Sequence, residues 1–239
     1  MILAWDTSWI PAGPAGRYRL AQLDDYRGLS RRRFRWNPPF HLALKARASA
    51  QNLPGTWGFG LWNDPFSFSL GLGGGTRRFP ALPNAAWFFF AAPQNYLSFR
   101  DVLPAQGFLV ATFRSERLPA PLLAVGGLAL PLLLLPGLAG LLRRAARAMV
   151  QQSAVQIDHD VTSWHTYELE WKNTVRLSVD EQTVLDTTVT PRGPLGLVLW
   201  IDNQFAAFPP DGRLEYGFSA SPKPAWVELK LVHLDSRVL

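Results

Sequence analysis

Apolar residues along this chain fall mostly into short runs, with Gly, Pro, Asn and Asp between them. Eight runs read as strands: Phe40–Ser49, Trp57–Asp64, Ala86–Ala91, Gly107–Arg114, Thr166–Trp171, Val175–Val179, Gly196–Ile201 and Trp226–His233. Tyr167–Trp171 and Val175–Val179 alternate at period two, which makes one face of each apolar, and Lys172-Asn173 between them reads as a hairpin turn. Helical periodicity is scarce outside one segment. Many strands at short spacing, without strand–helix alternation, predict an all-β antiparallel sandwich or barrel.

The exception is Leu118–Leu142, a Leu-rich stretch without a charged residue that contains Pro119, Pro121, Pro131 and Pro136. About 25 residues is length enough to cross a membrane. Strand-like sequence flanks it on both sides, however, so a segment inserted in one sandwich must leave and return on the same side, and the prolines break a single straight helix. The pattern predicts an inserted helical hairpin over 118–150. In its second arm Leu138, Leu141, Leu142, Ala145 and Met149 share a face, while Arg143, Arg144 and Arg147 gather away from it. An apolar stripe beside an arginine-rich face is the pattern of an interfacial helix. The insertion is therefore expected on an anionic membrane surface, with Leu132, Leu135, Leu138, Leu141 and Leu142 in the apolar layer and Arg143, Arg144 and Arg147 at the lipid phosphates. A lid packed over the sandwich and a true span are the alternatives.

Composition narrows the rest. A chain of 239 residues is enough for a single β-sandwich domain over 1–239. With 48% hydrophobic residues and only 18% charged, it has ample apolar surface to bury, which argues against disorder. The net charge of +6 comes from arginine clusters at 31–35 and 143–147. Arg31-Arg32-Arg33-Phe34-Arg35-Trp36 has the charge and aromatic content of a nucleic-acid patch but no accompanying motif, so nucleic acid is not expected as a partner. The absence of cysteine excludes disulfides and thiolate metal sites. The four histidines show no metal spacing, and Asp158-His159-Asp160 on an extended segment would point alternately apart, so neither metal nor cofactor is expected. Leu70–Gly75 is glycine-rich, yet no Lys-Ser/Thr follows it, and it reads as a turn rather than a phosphate loop. Met1–Ile10 lacks a basic start and an apolar run, so the expected location is cytoplasmic, peripheral on the inner membrane face.

Three stretches carry a family resemblance. Trp164-His165-Thr166-Tyr167-Glu168-Leu169-Glu170-Trp171, followed by Val179-Asp180-Glu181, resembles the strand pair that family-16 glycoside hydrolases and their concanavalin A-like relatives write as "FHTY-x-x-EW … VDG". Gly193–Trp200 resembles the next strand, ending "NLW", and Gly55–Trp62 resembles "GTWPAFWLL". Val227–Leu234 resembles the closing strand, and Ala21–Tyr26 and Trp200–Gln204 resemble phrases of uncharacterised bacterial relatives. The resemblance implies a concanavalin A-like jelly roll of the lectin/glucanase superfamily. It does not imply that superfamily's hydrolysis. A retaining glycosidase needs two carboxyl groups about 5–5.5 Å apart, and the family supplies them from an E-x-D-x-x-E strand shortly after "GTW". Here the corresponding region contains no Glu before Glu116.

The candidate site is a repeated W-x-D phrase, Trp62-Asn63-Asp64 and Trp200-Ile201-Asp202. Period two puts Trp62 and Asp64 on the face of Gly58 and Gly60, where two glycines would leave room for a ligand. The expected binding set is Trp57, Trp62, Asp64, Trp87, Trp200, Asp202, Asn203 and Gln204, forming a pocket of aromatic walls with a few polar groups. The expected function is non-hydrolytic binding of a hydrophobic or glycolipid-like small molecule in a concave cleft. The alternatives are an enzyme using Asp64 or Asp202 as acid or base on a hydrophobic substrate, its pKa raised by burial, and a hydrolase with relocated catalytic groups. Two carboxyl groups facing one cleft would favour an enzyme; one or none would favour binding.

Overall fold

The computed structural model describes residues 6–65, 81–98, 100–101, 103, 105–116, 136–211 and 215–236. The glycine-rich run 70–75 and most of the first half of the expected insertion, including Leu132 and Leu135, lie outside them. Among the described residues there are fourteen strands: β1 (Asp6–Ile10), β2 (Leu20–Asp24), β3 (Phe40–Ala48), β4 (Thr56–Trp62), β5 (Ala85–Ala91), β6 (Gly107–Ser115), β7 (Val150–Ile157), β8 (His165–Trp171), β9 (Val175–Val179), β10 (Gln182–Thr187), β11 (Gly196–Asp202), β12 (Gln204–Ala207), β13 (Glu215–Phe218) and β14 (Ala225–Asp235). One sheet runs β1-β14-β3-β8-β9-β10 and the other β2-β11-β4-β5-β6-β7, with β12-β13 as a separate pair. The pairings within these sheets are antiparallel. Two such sheets packed face to face make the antiparallel sandwich that the strand pattern predicts, in the jelly-roll arrangement that the family resemblance implies.

Alternation explains the packing. On β4, Trp57, Phe59 and Leu61 point into the space between the sheets, and on β8 Tyr167, Leu169 and Trp171 point back at them. Phe59 meets Tyr167 edge-on with ring centroids 5.1 Å apart. Each buried aromatic or aliphatic side chain in this layer contributes about 1.5–3 kcal/mol. The β9–β10 hairpin turns at Asp180-Glu181, both at positive φ (47° and 68°), as a two-residue turn requires. Asp180 locks it, accepting from the Thr166 backbone N–H at 2.8 Å and lying 2.6 Å from His165 Nδ1.

The insertion differs from expectation. The described residues support a single helix, α1 (Pro136–Met149), running directly into β7, and do not support a helical hairpin. Proline at its first position is well placed, because that N–H has no helical partner to lose. No described helix is long and apolar enough to cross a membrane.

Candidate ligand-binding face

The outward face of the second sheet is unusual for a sandwich. Trp62, Trp87, Phe89, Leu109, Ala111, Phe113, Val150 and Ala154 point away from the inter-sheet core and form a second apolar cluster with Trp200. Outward positions of a sandwich strand are normally polar. Within this cluster three half-buried tryptophans meet: Trp62 and Trp200 are stacked with centroids 6.2 Å apart, and Trp87 lies 5.9 Å from Trp62 and 5.5 Å from Trp200.

Glycine makes that convergence possible, in a different way from the one expected. A Cβ on Gly58 would stand 2.7 Å from Trp200 Cη2, and one on Gly60 would stand 2.7 Å from Trp87 Cβ. A Cβ on Gly196 would collide with the Tyr26 ring. The space the glycines leave is taken by the neighbouring β5 backbone and, at Gly58 and Gly196, by the Trp200 and Tyr26 rings, rather than left open for a ligand.

A polar chain runs along the edge of the cluster. Trp62 Nε1 donates to Tyr26 Oη at 2.6 Å. Gln22 Nε2 lies 3.3 Å from the same hydroxyl and donates to Asp24 Oδ2 at 3.1 Å. Gln22 pairs with Trp200 across β2–β11, so the chain sits on the tryptophan side of the sheet. Asp24 Oδ1 and Trp87 Nε1 are buried without a hydrogen-bond partner, one spare acceptor and one spare donor. Tyr26, Gln22 and Asp24 lay in a quoted sequence phrase, but nothing there pointed to a role; the signal appears only once β2 is placed beside β11.

Of the expected binding set, Trp62, Trp87 and Trp200 come together and the others do not join them. Trp57 points the opposite way and is fully buried in the inter-sheet core, because its odd position on β4 faces inward. Asn203 is a structural clamp. Its Oδ1 accepts from the Arg19 N–H at 2.8 Å, and its Nδ2 donates to the Arg17 and Ser219 carbonyls at 2.9 and 2.7 Å. Gln204 donates its backbone N–H to Asp202 and accepts from the exposed Tyr216 hydroxyl at 3.4 Å. Asp64 leaves β4 at φ 48°, and its backbone carbonyl, with that of Asn63, is held by Arg31. That arginine, one of the basic cluster, thus pins a strand end.

Asp202 lies at the other end of β4, paired with Thr56. Its Oδ1 accepts from the Thr56 N–H, the Thr56 hydroxyl and the Gln204 N–H at 3.1, 3.0 and 3.2 Å. Thr56 Oγ1 in turn accepts from Trp200 Nε1 at 2.9 Å. Burial pushes the Asp202 carboxyl up to about 7, against the lowering effect of these hydrogen bonds. The length of β4 separates Asp202 from Asp64 by roughly 20 Å, and Asp24 stands four residues along β2 from the Asp202 register, roughly 13 Å away. No two of these three carboxyls approach the 5–5.5 Å of a retaining pair. Asp160 serves its own turn, accepting from Thr162 and Ser163.

The helix also departs from expectation. Arg143 does not face outward: it is 4% exposed, and donates to the Ser98 and Phe208 carbonyls at 2.9 and 2.6 Å and to Asp101 at 3.0 Å. These bonds tie α1 to Ser98, Asp101 and Phe208. The hydrogen bond from Arg143, with the charge of Arg147, holds the Asp101 carboxyl below its ordinary range. Arg144, Leu141, Ala145 and Met149 are exposed instead, whereas the side chains of Leu138 and Leu142 lie outside the description.

No protein-family model matches this chain, and no curated protein sequence matches it. Among solved structures it is similar to the Bacillus licheniformis beta-glucanase, at 12% identity and a TM-score of 0.41 over 92% of this chain and 71% of that one. It is similar to the legume lectin-like domain from Entamoeba histolytica, at 9% identity and a TM-score of 0.45 over 98% and 91%. It is also similar to the kappa-carrageenase from Pseudoalteromonas carrageenovora, at 11% identity and a TM-score of 0.46 over 96% and 79%.

Proposed function

We propose that this protein is a non-hydrolytic ligand-binding sandwich that takes a glycolipid-like amphiphile on the outward face of its second sheet. The observation that carries this is the direct link between the tryptophan cluster and the polar chain, the 2.6 Å hydrogen bond from Trp62 to Tyr26. An apolar ring face stacks on Trp62, Trp87 and Trp200. Hydroxyls meet the spare Asp24 oxygen and Trp87 N–H at its edge. The wide separation of Asp24, Asp64 and Asp202 supports binding over hydrolysis. Titration with octyl glucoside below its micellar concentration, read by tryptophan fluorescence, tests this. Saturable quenching is expected, weakened about tenfold, or about 1.4 kcal/mol, by Trp62→Ala or Trp200→Ala. No saturable change, or one that survives both substitutions, refutes it.

The same reading puts the protein peripherally on an anionic, inner membrane surface. It is supported by the exposed Leu141 and Met149 with Arg144 beside them, while Arg143 is removed from the set. Co-sedimentation with phosphatidylserine vesicles should fall in a Leu141→Asp, Arg144→Glu variant and weaken with salt in the parent. Binding unchanged in that variant excludes α1 as the attachment.

Asp202 favours a second reading. A carboxyl titrating near 7 is suited to general acid work on a hydrophobic substrate. Turnover of p-nitrophenyl esters or glycosides that disappears in Asp202→Asn would favour it over binding.

A further inference from the structure

The outward face of the first sheet brings together residues that the sequence keeps far apart. Across β14, β3 and β8, His233 pairs with Ala43 and Ala43 with Glu168; one step along, His41 pairs with Glu170. Ala43 is itself buried between its larger neighbours. One donor atom each from His41, Glu168 and Glu170 lies within 4.8 Å of the others. His41 Nε2 is buried, has no hydrogen-bond partner, and stands 3.7 Å from Glu168 Oε2. That distance is too long for a hydrogen bond. It suits two ligands of one ion at about 2.0–2.1 Å each, which in a tetrahedron stand roughly 3.4 Å apart. The His233 ring lies beside that of His41, with centroids 5.0 Å apart.

We propose that His41, Glu168 and Glu170 bind a single Zn²⁺, with His233 as the fourth donor. Two imidazoles and two carboxylates form a borderline, four-coordinate set suited to zinc. Ca²⁺ and Mg²⁺ want six or more oxygen ligands, which this face does not gather. Glu170 also meets Lys172 at 3.2 Å, an exposed ion pair that contributes little and is readily exchanged for the metal. His41, Glu168 and Glu170 are about one-third exposed at the side chain and His233 is exposed, so the ion has access from solvent. Bound there, it ties three adjacent strands of the first sheet together on the side opposite the tryptophans. Sequence spacing gives no hint, because the donors come from strands that meet only in the folded sheet.

Calorimetric titration of the chelator-treated full chain with ZnCl₂ tests the site. One equivalent is expected to bind, with no response to CaCl₂. His41→Gln and the double variant Glu168→Gln, Glu170→Gln should each weaken binding at least tenfold. His159→Gln, which alters the separate His159–His165 pair, should leave it unchanged. Saturating ZnCl₂ should raise Tm by about 5 °C in the parent and not in His41→Gln. Should His41→Gln fail to fold, Co²⁺ added to the parent reports the site through the intense visible bands of four-coordinate cobalt. No saturable Zn²⁺ binding, binding that survives His41→Gln, or binding lost in His159→Gln overturns the proposal.

Discussion

The two outward faces of this sandwich are built by the same alternation and have opposite chemistry. On the first sheet the outward positions hold Lys45, Arg47, Glu168, Glu170 and Arg176, a solvated surface cross-linked by pairs such as Arg47–Glu228 at 2.6 Å. On the second they hold Trp62, Trp87, Trp200, Phe89, Leu109 and Phe113. An outer face that apolar has to be covered. Here Leu97 and Leu103 pack against it and the buried Arg143 ties α1 to Ser98 and Asp101, while the three tryptophans stay half-exposed. Among the described residues this face is apolar and only partly covered, and the proposed ligand site rests on that.

Substitutions on the two sides of one strand break this comparison most sharply. Trp57→Ala, on the core side of β4, should cost about 3–5 kcal/mol by leaving a cavity. Trp62→Ala, on the outward side, should cost markedly less, with its main effect on ligand affinity. Urea unfolding followed by far-ultraviolet dichroism measures both.

Asp202 gives the next largest effect, and its sign is fixed. A carboxyl whose folded pKa of about 7 lies above its unfolded value near 4 binds its proton more tightly in the native state. Its stability contribution is intact below about pH 4, is lost as pH rises through the folded pKa, and stays lost above it. Asp202→Asn, which mimics the protonated acid, should be near-neutral at pH 4 and stabilising by on the order of 4 kcal/mol at pH 8. Paired unfolding curves at the two values check it.

Arg143→Met follows, expected to cost about 3 kcal/mol by leaving the buried Ser98 and Phe208 carbonyls without their donor, while Asp101 keeps Arg147. Arg144→Met, one residue away and exposed, should change stability by less than about 0.5 kcal/mol. Thermal unfolding of both variants separates the structural arginine from the surface one. Glu181→Gly should stabilise by up to about 1 kcal/mol, since Glu181 holds a φ of 68° where glycine is unstrained. The smallest effect is none: laminarin and lichenan should release no reducing sugar above a blank.

Much of the fold was legible because inward alternation is a local signal. Each of the eight runs read as strands is a strand, from β3 through β14, with ends shifted by a few residues at most. Strands such as β7, with Gln151, Gln152 and Gln156, and the short β2 carry too many polar residues for that signal. The site was legible in part. Trp62 and Trp200 could be paired by their repeated phrase, and the same period two that sets Trp62 beside Gly58 and Gly60 already puts Trp57 on the opposite face, so its place in the binding set was at odds with the alternation. On α1 the helical stripe was visible, yet burial of Arg143 depends on carbonyls at Ser98 and Phe208 that no pattern within the helix reveals.

The most direct measurement is the ¹⁹F spectrum of the 5-fluorotryptophan-labelled protein, titrated with octyl glucoside below its micellar concentration. Resonances assigned by Trp→Phe substitution to Trp62, Trp87 and Trp200 should shift together and saturate, while those of the core residues Trp57 and Trp171 stay in place. Shifts confined to the exposed Trp9 and Trp164, or no shift at all, would contradict a ligand site on the second sheet.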